Sequence, residues 1–497
     1  MIIKVDNLII GAGPSGLTAG YSILKNKDLG NVEIIETSEK YLGGISRTEY
    51  KGHYRFDIGG HRFFSKSKII NKLWDEILDD GFIETNRKSR ILFKKKFFSY
   101  PLSATEALFK LGIFESFLCG ISFIKAKIFP KKNPISFHDW VANSFGERLY
   151  RNFFKTYTEK VWGMSCDEIS ADWAAQRIKG LNFTSLILNS IKFLNFRNNK
   201  KVIKTLIKKF KYPKYGPGMM WEVAGSKIKK MNGKITMGTN ANEFIYDKTN
   251  QNWKIKCFNK ITNENIIYEC KRVICSAPLR DVVKNINPPL ISKNLASKLK
   301  YRDFITVAIM IDQRPKFDDN WIYIHDQDIY AGRIQNYTSW STFMAPNDKG
   351  CLGLEYFCNE SEKFWNKTDE ELKNVAIEDL RKLEILKNEK IIDAYVVRQK
   401  KAYPVYDQGY KEIVKKISNE IENDYNNLYL VGRNGMHKYN NQDHAMMSSL
   451  LTVENIKHNR KLNNIWDINV DAEYHEEDKD KNLAMQNLQK VPRSINN

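Results

Sequence analysis

The stretch that most limits what this chain can fold into lies at its start: the apolar run "NLIIGAG", then "PSGLTAGYSILKN", then "VEIIETS". A buried strand, a tight turn, a helix and a second buried strand make a βαβ unit. Gly11, Gly13 and Gly16 form a G-x-G-x-x-G pattern at the strand-to-helix turn. The first glycine makes the turn, the second lets backbone approach a pyrophosphate, and the third lets the helix pack closely. The helix N-terminus adds partial positive charge, and Glu36, at the end of the second strand, can accept hydrogen bonds from a ribose hydroxyl. A carboxylate there disfavours a 2′-phosphate, which leaves NAD or FAD. Gly43, Gly44 and Arg47 in "YLGGISRT" bring more backbone and a cation to the same pyrophosphate, which a plain NAD unit does not need.

At 497 residues, with 42% hydrophobic residues, the chain can bury more than one core. The fold class expected is α/β: a doubly wound, Rossmann-like parallel sheet with a helical insertion and an antiparallel-sheet region for substrate. The cofactor domain is expected to be discontinuous, over 1–75, 215–285 and 425–462. A mainly helical substrate or lid region is placed at 76–214, because "KIINKLWDEIL" and "ATEALFKLG" carry apolar residues at three- and four-residue spacing. Runs such as "TVAIMIDQ" and "CLGLEYF" place the antiparallel sheet at 286–424. The polar end, 470–497, reads as a flexible tail.

The opening "MIIKVDNLIIGAG" reads as a first strand and not as a signal peptide. The most apolar long segment, "LFKLGIFESFLCGISFIKAKIF", carries Lys110, Glu115, Lys125 and Lys127, which argues against a spanning helix. Seven cysteines occur with no C-x-x-C pair, so a reducing, cytoplasmic location is expected. The net charge of +21 is uneven, and residues 177–214 hold many Lys and Arg and no Asp or Glu. That block suits a solvated face, a peripheral membrane contact or an anionic substrate. No nucleic-acid motif accompanies it. His53 and His61 have no third ligand nearby, so no metal is expected.

"FDIGGHRFFSK" ends a strand in two glycines and then spends a histidine, an arginine and two phenylalanines on one loop. With "RVICSAP" and a late "VGR" strand leading into a helix, the pattern resembles the flavoprotein superfamily of amine oxidases, protoporphyrinogen oxidases, phytoene desaturases and UDP-galactopyranose mutases. Within it, the histidine loop, "EKVWGMSCDEISADWAAQR", "KAYPVYD" and "GRNGMHKYNNQDHAMM" resemble motifs of the UDP-galactopyranose mutases, in the same order.

The resemblance implies FAD, held by Gly11, Gly13, Gly16, Glu36, Gly43, Gly44, Arg47, Gly60, His61, Gly432, Asp443 and Met446. It implies catalytic roles for His61, Arg333 and Arg433, and substrate contacts from Trp162, Arg177, Arg333, Tyr403, Arg433, Tyr439 and Asn441. Gly60 would let the backbone approach a flat isoalloxazine, and Arg62, Phe63 and Phe64 would fix the loop. The implied reaction interconverts ring forms of a nucleotide sugar, with reduced flavin as the covalent nucleophile and NAD(P)H as a possible reductant. Arg333 is offset by a couple of positions from the family's central arginine. The alternative is an FAD-dependent oxidoreductase of the amine oxidase or protoporphyrinogen oxidase type. Each side chain also has a plainer reading: His61 and Asp443 as caps, Tyr403, Tyr439 and Trp162 as core aromatics, Arg177 as part of the basic block. Neither the sugar nor the oligomeric state is readable.

Overall fold

A computed structural model describes residues 1–100, 102, 104–178 and 209–469. Residues 179–208 of the 177–214 basic block and the 470–497 tail lie outside the described residues.

The first strand, β1 (Ile2–Ile10), runs parallel to β2 (Val32–Ile35) on one side and to the strand Glu264–Cys275 on the other. Leu8 and Ile9 are fully buried, on opposite faces, as a strand covered on both sides requires. The sheet has eight strands. Thr239–Asp247 and Asn252–Asn259 extend it as an antiparallel pair, while Lys234–Thr236 and Leu428–Leu430 join in parallel. Leu428–Leu430 takes over beside Val273–Cys275, at the end of the strand that Asn252–Asn259 has left.

Helix α1 (Pro14–Lys25) covers one face together with Gly218–Lys230 and Gln442–Lys457. The last helix is tied to α1 by Ser449, whose hydroxyl donates to the Ser15 carbonyl at 2.8 Å. A Cβ on Gly432 would sit 2.5 Å from Ser15 Oγ. Segments 434 positions apart therefore meet at the glycine turn.

The second sheet has seven strands in the order Ile391–Pro404, Tyr301–Ile311, Gly350–Cys358, Arg333–Asn336, Trp321–Ile324, Ser89–Phe93, Lys96–Ser99. It is antiparallel except where Trp321–Ile324 meets Ser89–Phe93 in parallel. Every residue of Tyr301–Ile311 is buried, so this strand forms the spine between two cores.

Residues 82–99 differ from the helical reading of that stretch: Phe82–Asn86, Ser89–Phe93 and Lys96–Ser99 are strands. Of these, Ser89–Phe93 pairs with Trp321–Ile324, more than 200 positions away, while Lys96–Ser99 closes a local hairpin on Ser89–Phe93. Lys209–Pro213 is likewise a strand, paired with Phe82–Asn86. The helices expected around them are present, from Ala104–Leu111 through Ala171–Ile178. Their core joins Val405, Tyr406 and Tyr410, which fastens the insertion to the end of the second sheet.

Candidate active site

At the β1 turn the Gly11 amide donates to the Ile35 carbonyl at 2.8 Å, and a positive φ of 98° places it where an L side chain is strained. The second glycine loop closes on this turn: the Gly43 amide donates to Ala12 O at 2.8 Å. A Cβ on Gly13 would lie 3.9 Å from Gly44 Cα, and one on Gly44 would lie 3.4 Å from Gly13 Cα. Two bare backbones thus face each other, a cradle that any side chain would begin to fill. A Cβ on Gly16 would collide with the Gly11 carbonyl, which fixes the close helix packing. Glu36 accepts from the Ala12 amide at 2.7 Å and the Ser38 amide at 2.8 Å. Burial pushes its carboxyl up, against those hydrogen bonds. Trp221 packs on Gly43, and its indole N–H is buried without a partner among the described residues.

Arg47 is already engaged. Its guanidinium bonds Glu49 at 2.8 Å, the Gly44 carbonyl at 3.0 Å and Gln399 at 2.6 Å, so it braces the second glycine loop. Much of its charge is spent on Glu49.

The histidine loop hangs from the hairpin of Thr48–Lys51 and Tyr54–Asp57. Its last residue, Asp57, is buried; its carboxylate accepts from Thr48 and Tyr212, and Tyr337 donates to its carbonyl. Burial raises that carboxyl to about 7. His61 then folds back: Nε2 lies 2.9 Å from the Ile58 carbonyl, which can only accept, so Nε2 carries the hydrogen. Nδ1 is left 3.4 Å from Ser46 Oγ in the second glycine loop. Burial, reinforced by the charge of Arg433 and Arg333, lowers the imidazole to about 4, so it is neutral at physiological pH. A Cβ on Gly60 would come 3.2 Å from Gln335 Nε2 and 3.4 Å from Trp340, so this glycine also serves the packing of loop on sheet. Phe63 fixes the loop as expected, between Trp74 and Phe82 at 5.1 Å each. Arg62 and Phe64 instead line a cleft.

That cleft runs from the histidine loop to the second sheet and the start of the last helix. Arg333 enters from its strand, held by Glu355 at 2.5 Å. Arg433 enters from the turn after Leu428–Leu430. It bonds the carbonyls of Asn440 at 2.8 Å and Ala402 at 3.3 Å and has no carboxylate partner among the described residues. Tyr403 and Tyr439 stack at 5.4 Å with rings 10° apart, and Arg433 lies over both, at 5.4 and 4.8 Å from their centroids. Burial and the neighbouring Tyr439 hold the Tyr403 hydroxyl protonated. Asn441 and Asp443 border the cleft at the first turn of Gln442–Lys457.

Other expected residues stand elsewhere. Trp162 sits behind the tyrosine pair, edge-on to Trp173 at 4.7 Å and to Tyr403 and Tyr439 at 6.5 and 6.4 Å, and does not line the cleft. The Met446 side chain is fully buried, its sulfur accepting from the Trp74 indole at 3.0 Å. The Gly432 amide is taken by Ser448 Oγ at 2.9 Å. The Arg177 side chain lies outside the described residues.

The structure adds cleft residues that the sequence reading missed. Trp321 and Tyr323 share one face of their strand, as do Arg333 and Gln335 of the next, so the period-two pattern could have found them. Gln442 Nε2 donates to the Arg62 carbonyl at 2.9 Å, while among the described residues its Oε1 is buried and unpartnered, as is the Trp321 indole N–H. Among the described residues no three His, Cys, Asp or Glu stand together as a metal site, and no helix is long and apolar enough to cross a membrane.

A sequence model of the NAD(P)-binding Rossmann-like domain matches residues 9–77. The reduced UDP-galactopyranose mutase structure superposes with a TM-score of 0.78 over 91% of this chain and 94% of that one, at 19% identity. The chain has the mutase fold. A presumed protoporphyrinogen oxidase from Exiguobacterium sp. 255-15 superposes at 0.68 with 15% identity, covering 91% of this chain and 98% of that one. Putrescine oxidase bound to putrescine superposes at 0.57 with 14% identity, covering 91% and 100%. The likeness therefore spans nearly the whole chain, and the fold is the one expected from the flavoprotein resemblance.

Proposed function

We propose that the protein is an FAD-dependent enzyme that rearranges a diphosphate-linked sugar, in the manner of a nucleotide-sugar mutase. The observation that carries this reading is the cleft itself: Arg433, with no carboxylate partner among the described residues, and Arg333 converge with the stacked Tyr403 and Tyr439 on the histidine loop. A leaving diphosphate needs that combination of cation and hydroxyl. An amine-oxidising site would need an aromatic box and usually a lysine near the flavin, and among the described residues no lysine lines this cleft.

FAD suits the residues present. The facing backbones of Gly13 and Gly44 offer amides to a pyrophosphate, and Glu36 offers lone pairs to a ribose. The Trp221 indole N–H, unpartnered among the described residues, lies at the same loop, Gly432 closes on Ser15 beside the glycine turn, and Asp443 borders the cleft. When reduced, the flavin would supply the nucleophile for the anomeric carbon, with no net oxidation. His61, neutral and donating to its own loop, positions that loop and does not shuttle protons. Arg433 and Arg333 bind the diphosphate and hold the negative charge that develops on it, while the Tyr403 hydroxyl donates to the same oxygens.

The test is to supply UDP-sugars to the protein before and after dithionite reduction, and amines or porphyrinogens under oxygen. Ring-form interconversion only after reduction is expected. Oxygen consumption with an amine or porphyrinogen, and indifference to UDP-sugars, would replace the mutase reading by the oxidase one.

A further inference from the structure

The helix Ile113–Ile128 turns its apolar side outwards. Ile113 is 92% exposed, Phe117 65% and Ile128 63%, and Ile121 and Ile124 continue the same stripe at three- and four-residue spacing. The side that packs on the insertion is already occupied. Cys119 is buried there, Glu115 makes a two-bond pair with Arg148 at 2.7 Å and accepts from Asn152, and Ser122 accepts from the Arg148 amide. The outer stripe has nothing over it among the described residues. A contiguous apolar face of this size marks a contact surface.

Its charge tells what covers it. Between positions 109 and 135 the sequence has Lys110, Lys125, Lys127, Lys131 and Lys132 and one acid, Glu115. That acid faces inward and is neutralised by Arg148. Lys110 pairs with Glu106 and Lys131 with Asp139, and Lys127 donates to the Asn143 carbonyl at 3.0 Å; among the described residues Lys125, Lys127 and Lys132 have no carboxylate partner, and they gather where the helix ends at the exposed Phe129. Two copies of this face would bring lysines together with no carboxylate opposite them. A layer of anionic headgroups above apolar chains complements both features at once. The sixteen residues span about 24 Å, enough to lie in an interface.

We propose that the Ile113–Ile128 face docks the protein on an anionic lipid surface. The helix lies in the plane of the interface, the isoleucines and Phe117 reach the acyl boundary, and the lysines extend to headgroup phosphates. This is a different element from the basic block at 177–214.

Flotation of the full chain with phosphatidylcholine vesicles, with and without phosphatidylglycerol, tests it. The protein should float only with the anionic vesicles, less so as salt rises. The double variant Phe117→Glu/Ile121→Glu, both sites being exposed, should keep its circular dichroism and melting temperature and lose vesicle binding on the order of tenfold. Three results would overturn the proposal. The parent chain fails to float with anionic vesicles; the variant floats as well as the parent, which would place the contact elsewhere in the basic chain; or the parent ignores vesicles and is a dimer that the variant dissociates.

Discussion

Arg333 and Glu355 are register partners on antiparallel strands, and their side chains form an ion pair at 2.5 Å in which the carboxylate is fully buried. Glu355 also accepts from Gln335 at 2.9 Å, so one acid orients two cleft residues. Removing Arg333 outright would leave a buried, half-satisfied carboxylate, at a cost of about 3–5 kcal/mol. Arg333→Ala should therefore lower thermal stability as well as activity. Arg333→Lys keeps the charge and loses the planar fork; kcat/KM for a UDP-sugar should fall by about 10–100-fold with a small change in melting temperature. Full activity in Arg333→Lys would remove it from the diphosphate site.

Arg433 spends its hydrogen bonds on carbonyls, so its charge remains for a ligand. Arg433→Ala should raise KM by on the order of 100-fold while the bound-flavin spectrum persists. Tyr403→Phe preserves the ring stack and removes only the hydroxyl, and should cost about tenfold. If Tyr403→Phe matches the parent and Tyr403→Ala does not, the ring alone matters.

An unfolded histidine titrates near 6.5, whereas burial, then the charge of Arg433 and Arg333, holds His61 near 4. Between those values the unfolded chain binds the extra proton, so native stability rises with pH across that window and is lost as pH falls through it. His325, held near 3, and His437, near 4, both chiefly by burial, act in the same direction. Asp57, raised to about 7, acts the opposite way, so the reading is differential: between pH 4 and pH 6.5 the urea midpoint of His61→Gln should climb less, relative to the parent, as pH rises. An unaltered slope in that variant would contradict the burial assigned to this ring.

Lys160 places its ammonium 2.8 Å from the carbonyls of Asp326 and Ile329 and 3.4 Å from those of Ile324 and Ala331. It therefore ties down the loop between the strands carrying Tyr323 and Arg333. Burial draws its amine down to about 8. Lys160→Met should destabilise the protein by about 2–3 kcal/mol through unpaired carbonyls, and should raise KM more than it lowers kcat. Unchanged KM would mean the loop does not set Arg333.

The parts of this molecule that could be read locally were those whose structure is local. Helix Lys68–Leu78 coincides with the stretch "KIINKLWDEIL", and the glycine turn lies between β1 and α1 as its spacing requires. What escaped depends on distant partners. Arg47 faces Glu49 and Gln399, and Gln399 is 352 positions away, so no motif could foretell that the guanidinium would be largely consumed. Trp162 lies in a suggestive motif, but whether it lines a cleft or backs the aromatics that do is decided by the packing of three separate segments. Phe82–Asn86 escaped for the same reason, since its partner comes much later in the chain, whereas the hairpin of Ser89–Phe93 with Lys96–Ser99 is local and could have been read.

The seam where Ser449 and Gly432 meet Ser15 has a consequence for synthesis. Ser15 is synthesised 434 positions before Ser449, so the contacts that brace the glycine turn form only after a long stretch of further chain has been made, and contacts of such separation form slowly.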